Sequence, residues 1–473
     1  MEEVLERIHR YSLEIMEDPG VRLHDDEILN KLASKGVKVK EDIVHFTEEQ
    51  VTQCLALAPS SFNLTARNPD HNLTIGDNSR CIAGGFGAPM VVTAENRRRE
   101  AQFDDYIRAV KLIHATDLVH LNGGVLVQPK DIPPDLASLI MIYTALTLSD
   151  KPFMGIQDHE PQLRRIMALN TILFGGEEEF KKHPKSLYLV STFSPLQIDA
   201  QGLATLKVCC EYNQAICITP GLMCGATSPI TPAGSLVQAN AEFLTGLCTA
   251  QMLAPGTPIV YGCLGTPVDM RTGVLTLGSP ARTAFTNLAA AMAEKYNIPN
   301  RGIGTVTDAG QVSVQSGYES MFSLSGDYQR RTSFILHGAG ILDSFSAFSF
   351  EKWINDLEII RILNKSYELP KLDEDDFALE TIRNVGPGGE FLTSPHTMKH
   401  CRSIPFSSDL APFKTEDPQH YLGILSTNIQ KELSKLEAAY QLPNMPPKVQ
   451  EQMDEFIVNA GVSEEIVHAV RPK

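Results

Sequence analysis

The sequence predicts an α/β fold: a (β/α)8 TIM barrel with an N-terminal helical cap and a C-terminal extension. Three observations predict it. Short runs of small, β-branched and apolar residues alternate with runs of helical period and length. The alternation occurs eight times between residues 81 and 367, the count of a closed barrel of this type. Several strand-like runs end in a polar or aromatic residue just before the next helix, where such barrels keep their chemistry. The chain then divides into a cap (1–80), a barrel (81–367) and an extension (368–473).

The cap opens with Met1 to Glu17, which carries Val4, Leu5, Ile8, Leu13 and Ile15 at helical spacing until Pro19-Gly20 stops it. His24 to Lys35 is a second short helix, ended by Gly36. Val37 to Phe46 reads as a pair of short strands. Thr47, with Glu48 and Glu49 behind it, starts a third helix that Pro59 ends. Phe62 to Arg80 is polar and turn-rich. Nothing here points to catalysis, and the region reads as packing or oligomer contact.

Strands are predicted at Cys81–Phe86, Leu118–Val127, Pro152–Gln157, Ser186–Phe193, Ala215–Pro220, Pro258–Cys263, Gly302–Thr307 and Ser333–His337. Helices are predicted at Phe103–Ala115, Leu136–Ser149, Pro161–Phe174, Leu196–Tyr212, Pro232–Leu253, Pro280–Tyr296, Gln315–Arg331 and Phe350–Tyr367. Strands and helices alternating at these lengths mean βα units and a parallel sheet. The alternative, an open doubly wound sheet, wants a Gly-rich phosphate loop, and GGFGAP at Gly84 to Pro89 does not continue as GxGxxG.

The stretch Arg301 to Glu319 is the most telling unit. A small-residue strand ends at Asp308, Ala309 and Gly310 loosen the chain, and a helix follows with Tyr318, Met321 and Phe322 on one face. Taken alone, Asp308 reads as a helix cap as readily as a catalytic acid; recurrence of the unit favours the second.

Residues just past the strand ends should face one another. They are Phe86, Asn122, Asp158 with His159, Phe193 with Ser194, Met223 with Thr227, Tyr261, Asp308 with Gln311, and His337. The set lacks the His/Cys/Asp cluster of a catalytic metal, so no metal is expected. In the extension, Asp373 to Asp376 is a charged link. Asn384 to Cys401 combines Gly386, Gly388 and Gly389 with Pro395-His396-Thr397, a loop suited either to fold over an active site or to lie on the surface. The tail from Thr415 reads as helical, for docking or oligomerisation.

With 57 acidic against 41 basic residues the formal charge is −16. No broad basic surface is available for nucleic acid. The nine cysteines are an odd number with no CxxC pair, which suits reduced thiols in a cytoplasmic protein. No apolar run is long enough to span a bilayer and no signal peptide is expected.

Several stretches together resemble the trimethylamine methyltransferase family, in its branch that lacks pyrrolysine. They are EIMEDPGVRLHDDEILNKLASKGVKV, APSSFNLTARNP, TFSPLQID, SPITPAGSLVQANAEFLTG, SPARTAFTNLAAAMAEKYNIP, the Arg301 stretch and GPGGEFLTSPHT. The resemblance implies a (β/α)8 barrel that moves a methyl group from a methylated amine to the cobalt of a separate corrinoid (cobalamin) protein, with no cofactor tightly bound in this chain. The family's trimethylamine enzyme carries pyrrolysine late in the barrel, whereas residues 308–319 here are ordinary. Pyrrolysine-free relatives are linked to quaternary amines: glycine betaine, proline betaine, carnitine and γ-butyrobetaine. Asp308, Gln311 and Glu319 are the catalytic candidates.

That chemistry is a displacement at methyl carbon by Co(I). A quaternary ammonium leaves as a neutral tertiary amine, so no general acid is obligatory. The protein must hold the cation, strip its water and aim one methyl. Aromatic faces suit such a cation, and Phe86, Tyr106, Phe193, Tyr261, Phe345, Phe348 and Trp353 are candidates, with His159 beside them. A carboxylate would want donors such as Arg271, His337 or His396. The expected partners are a quaternary amine, a cognate corrinoid protein and further copies of this chain. Another methylated amine, or a lyase or non-catalytic barrel, remains the alternative.

Overall fold

The computed structural model describes residues 1–370, 372–411 and 421–471. Eight short strands carry the core: β1 (Cys81–Ile82), β2 (Asn122–Gly123), β3 (Phe153–Met154), β4 (Ser186–Ser191), β5 (Ala215–Thr219), β6 (Ile259–Tyr261), β7 (Arg301–Gly302) and β8 (Phe334–Ile335). β2 to β6 pair side by side in chain order, and β7, β8 and β1 form a second run. Every pairing is parallel. Single parallel bridges, Ala83↔Leu121 and Tyr261↔Asn300, link the runs at both ends. Each strand leads to a helix: α1 (Phe103–His114), α2 (Ala137–Leu148), α3 (Glu160–Leu173), α4 (Ala200–Glu211), α5 (Pro232–Leu253), α6 (Pro280–Lys295), α7 (Val314–Gln329) and α8 (Phe350–Ser366). The class is α/β, as the alternating pattern predicts.

Period-two alternation sorts strand side chains onto two faces. Cys81, Met154, Leu187, Leu189, Cys217, Val260 and Phe334 pack together on an inner face. Their chain neighbours turn outward to the helices: Ile82, Phe153 and Ile335 in one cluster, Tyr188, Ile216, Ile218 and Tyr261 in another. A hairpin of Ser61–Leu64 and Leu73–Gly76 lies in the segment that reads as polar and turn-rich in the sequence. It adds Phe62, Leu64 and Ile75 to the inner cluster. Thr65 N–H donates to Pro184 O, just ahead of β4, so the hairpin sits at the N-terminal strand ends.

Strand pairing stops sooner than the apolar runs suggest. The predicted strand Gly302–Thr307 pairs only at Arg301–Gly302. Beyond it, Ile303 N–H and Gly304 N–H donate to the Asp327 carboxylate at 3.1 and 2.9 Å, and Gly304 has φ +71, a left-handed conformation that ends extended structure. Likewise Leu118–Val127 pairs at Leu121–Gly123, is interrupted where Gly123 and Gly124 take φ +72 and +70, and pairs again only through a single bridge from Val127 to Ala88.

Two small sheets arise within the connections that follow the strands. Gly221–Cys224, Leu264–Asp269 and Val274–Leu275 form one. Met90–Val92, Arg98–Glu100, Ala347–Phe348 and Ile341–Leu342 form the other. Both therefore belong to the C-terminal ends of the parallel strands.

The N-terminal helix Glu2–Glu17 packs on α5, as does Glu48–Leu57, whose start is fixed by a capping box between Thr47 and Gln50. In the tail, Tyr421–Ala439 packs on α8 and α1, and Pro447–Asn459 on α2 and α3. Of the tail expected from Thr415, residues 415–420 and 472–473 lie outside the described residues. No helix among the described residues is long and apolar enough to cross a membrane.

Candidate functional site

Arg301 is the residue the sequence reading missed. A Cβ on Gly302 would come within 2.5 Å of the Asp327 carboxyl group, so Gly302 faces α7 and Arg301 faces inward. The Arg301 side chain is 8% exposed. Its Nη1 donates to Thr219 Oγ1 at 3.4 Å, and Thr219 shares the inner parity of Cys217 on β5. Nε is buried with no partner. Among the described residues no carboxylate pairs with this guanidinium. Burial pulls its pKa down, opposed by Cys217 and Asp327, yet an arginine keeps its charge.

His337 lies just past β8 with φ +57 and 5% exposure. Its backbone N–H donates to Gly84 O at 3.1 Å, and its carbonyl accepts from Thr305 N–H at 3.0 Å. Nδ1 is buried without a partner. Burial, then the charge of Arg301, holds the imidazole well below its ordinary pKa, so it is neutral near pH 7. The Phe345 ring lies 4.7 Å from it, tilted by 43°. Phe345 sits in a turn where Asp343, Ser344 and Phe345 all have positive φ.

Asp308 holds that turn. Its carboxylate accepts from Ser344 Oγ at 2.7 Å and from the N–H groups of Leu277 and Gly278 at 2.8 and 2.9 Å. Glu319 accepts from Thr307 Oγ1 at 2.5 Å, Asp308 N–H at 2.8 Å and Gln315 Nε2 at 3.0 Å. Both carboxylates therefore join loops at the strand ends. Gln311 is exposed, beside Asn96 and Arg98. Glu242 does similar work after β4. Fully buried on α5, it accepts from Thr192 Oγ1, from Ser194 Oγ at 2.7 Å, from Leu196 N–H at 2.8 Å and from Gln238 Nε2 at 3.0 Å. The loop it fixes presents Phe193, 62% exposed.

Other candidates lie elsewhere. Tyr261, Tyr106 and Trp353, read from the sequence as candidate pocket walls, are buried in the strand–helix layers. Tyr261 packs on Phe243 at 4.3 Å and donates to Asn240; Tyr106 donates to Gly124 O and Met141 O. An outward strand position and an inward helix face explain all three. Phe348 is buried in an accessory strand against Phe350. Phe86 is half-buried beside Gly124. His159 is exposed and bonds Gln201. Arg271 is bound to Asp269 at the surface.

His396 lies on a short helix, Pro395–His400, with Nε2 3.0 Å from Asp375 O and its ring 4.5 Å from that of His400, tilted by 40°. Asp375, His396 and His400 bring metal-ligand atoms within 4.8 Å of one another, but Lys399 Nζ already sits 2.6 Å from the Asp375 carboxylate. Among the described residues, His396 bonds Asp375 O and makes no hydrogen bond to Arg301, His337 or Asp308. A separate cleft lined by Ser60, Asn78, Asn300, Arg330 and Arg331 opens at the opposite, N-terminal strand ends, away from these groups.

The family described as Trimethylamine methyltransferase (MTTB) matches residues 1–462. The chain belongs to this family. A glycine betaine methyltransferase of Desulfitobacterium hafniense (strain Y51) is 35% identical over 465 residues, covering 97% of this chain and 96% of the relative. A proline betaine:corrinoid methyltransferase of Eubacterium limosum is 25% identical over 466 residues, covering 96% of each chain. The crystal structure of the Methanosarcina barkeri monomethylamine methyltransferase superposes with a TM-score of 0.55 at 12% identity, over 92% of this chain and 88% of that one. That likeness concerns the fold. In this family member the buried arginine opens β7 on the inner face, and the histidine lies just beyond β8.

Proposed function

We propose that this chain transfers a methyl group from a betaine-type quaternary amine to a reduced corrinoid carried by a separate protein. The observation that carries the reading is the near-complete match to a glycine betaine methyltransferase. The eight parallel strands with their two linking bridges support a closed (β/α)8 barrel, with the cap at 1–80 and the extension at 368–473. The mouth would lie at the C-terminal strand ends, rimmed by the two accessory sheets. A cytoplasmic homo-oligomer is part of the same reading.

The corrinoid supplies the Co(I) electron pair that forms the new Co–C bond. The broken N–CH3 pair stays on nitrogen, so the leaving group is a neutral tertiary amine and needs no proton. The chain's own work is then binding, drying and aiming. Phe345, Phe86 and Phe193 are the aromatic faces available near the strand ends, each worth about 0.5–2 kcal/mol to a desolvated cation. Asp308 and Glu319 brace the loops around Phe345, and Glu242 holds the loop that carries Phe193. Gln311 stands on the exposed rim, open to a partner.

The test mixes the protein with a reduced corrinoid protein and a panel of quaternary and tertiary amines. Loss of the Co(I) spectrum with a betaine, matched by release of the demethylated amine, is the expected result. Turnover only with tertiary amines, or none with any methylated amine, would overturn the reading.

A further inference from the structure

The inner face of the strands holds a cation for which the described residues supply no anion. Burying a charge without a counter-charge is unfavourable, and such groups are ordinarily paired. The nearest carboxylate in sequence logic, Asp327, lies on the other side of Gly302 and is used by Ile303 N–H, Gly304 N–H and Arg330 Nη2. Arg301 is left with one long bond to Thr219 and a buried, unpaired Nε.

We propose that Arg301, with His337 and Thr219, forms a carboxylate subsite that anchors the acid end of a betaine substrate. The inference rests on the quaternary-amine reading above. A guanidinium presents a planar fork of donors matched to the two oxygens of a carboxylate. Thr219 Oγ1 contacts Nη1 at 3.4 Å and its own hydroxyl is 3.3 Å from Cys217 O, so it steadies the guanidinium from the β5 side. His337 brings a second unsatisfied group: a neutral imidazole whose Nδ1, when it carries the proton, donates one more bond.

The placement also sets direction. Arg301 belongs to the inner face, whereas Phe345 lies past the strand ends, on the far side of the His337 ring. An acid end held at Arg301 therefore leaves the ammonium end toward the strand ends and the aromatic rings. Its methyl groups then point to the side from which a partner can approach. A methylated cation without a carboxylate would leave Arg301 unpaired and would gain none of this orientation. The subsite makes the chain selective for betaines against simple ammonium cations.

The experiment has two arms. Titration calorimetry on the unaltered protein compares glycine betaine, tetramethylammonium and 3,3-dimethylbutyrate, which keeps the carboxylate and replaces nitrogen by carbon. Betaine is expected to bind about 10–100-fold more tightly than tetramethylammonium, the range lost when a charged hydrogen bond goes unmade, with 3,3-dimethylbutyrate competing for the same site. Equal affinity for betaine and tetramethylammonium overturns the subsite, and this arm needs no variant to fold.

The second arm measures KM and kcat for Arg301→Met and Arg301→Lys. Arg301→Met should raise KM for betaine about 10–100-fold and erase its advantage over tetramethylammonium. Arg301→Lys should restore part of that advantage. A folded Arg301→Met protein that keeps wild-type discrimination refutes the anchor. If instead the unaltered protein methylates no corrinoid from any betaine yet still binds 3,3-dimethylbutyrate through Arg301, it is the functional reading that has failed and the carboxylate site that stands.

Discussion

Lys352 Nζ donates to the two carboxylate oxygens of Asp356 at 2.8 and 2.6 Å, and each side chain is 1% exposed. The pair stands one turn apart on α8. Lys352 also donates to Thr305 O and Ser320 Oγ, and Gly340 N–H donates to Asp356 at 2.7 Å. It thus ties α8 to α7 and to the segments after β7 and β8. Burial is the largest influence on both groups, lowering the pKa of Lys352 and raising that of Asp356.

Removing one partner strands the other. Lys352→Met is expected to cost about 3–5 kcal/mol of stability, seen as a large fall in Tm. Lys352→Met with Asp356→Leu should recover much of it, since a packed apolar pair can replace a buried ionic one. A single variant as stable as the wild type would show that the pair is idle.

Acid should loosen the β1 edge through His120. Its Nδ1 accepts from Ile82 N–H at 3.0 Å, which requires an unprotonated nitrogen. Burial, then Lys151, lowers its pKa to about 4. The folded state therefore binds fewer protons than the unfolded state between the ordinary histidine value and about 4. Stability is fully present above the unfolded pKa of about 6.5 and falls as pH drops toward the folded value, by at most about 1.4 kcal/mol per pH unit from this group. His120→Gln, whose amide oxygen can still accept from Ile82, should flatten the plot of Tm against pH in that window. An unchanged slope would assign the acid sensitivity to other groups, His337 among them.

Glu242→Gln tests the loop after β4. The carboxylate accepts four bonds, and an amide turns one acceptor into a donor that faces other donors. The expected cost is about 1–3 kcal/mol, with faster proteolytic cleavage between residues 192 and 197. Cleavage at the wild-type rate would show that the loop is held by its packing alone.

Asp308→Asn separates positioning from catalysis. Asp308 secures the turn bearing Phe345, and the proposed displacement asks for no acid. KM should rise while kcat changes by less than about tenfold, as when binding rather than transition-state contact is lost. A fall in kcat of a thousandfold or more at unchanged KM would make Asp308 a participant in the chemistry.

The repeat was legible because eight apolar runs and eight helical runs alternate on different periods, and no local rearrangement hides that. Strand lengths were not, since an apolar run such as 302–307 looks the same whether its N–H groups meet a neighbouring strand or the Asp327 carboxylate. Three of the aromatic candidates are buried between strands and helices for a related reason. Tyr261 and Trp353 are as apolar facing a helix or a strand as facing a ligand, and only strand parity for Tyr261 and the buried helix face for Trp353 separate the two. Arg301 is not legible from strand C-termini because it stands at a strand start, and only its long side chain carries the charge inward to Thr219. Asp308 was found by position, but its ties to Ser344 and Gly278 could not be read from spacing.

The helix Tyr421–Ala439 lies across α8 and α1, the last and first helices of the repeat, with Arg108 of α1 bound to Glu437 and Glu351 of α8 bound to Gln430. It straddles the line where the two ends of the eightfold repeat meet. During synthesis that line stays unlatched until the tail has emerged, long after α1 has been made, so the apolar flank of α1 waits uncovered for most of translation. Once latched, the helix spans the first and last repeats and adds Ile429 and Leu433 to the core they share, so the two repeats cannot part without breaking its contacts.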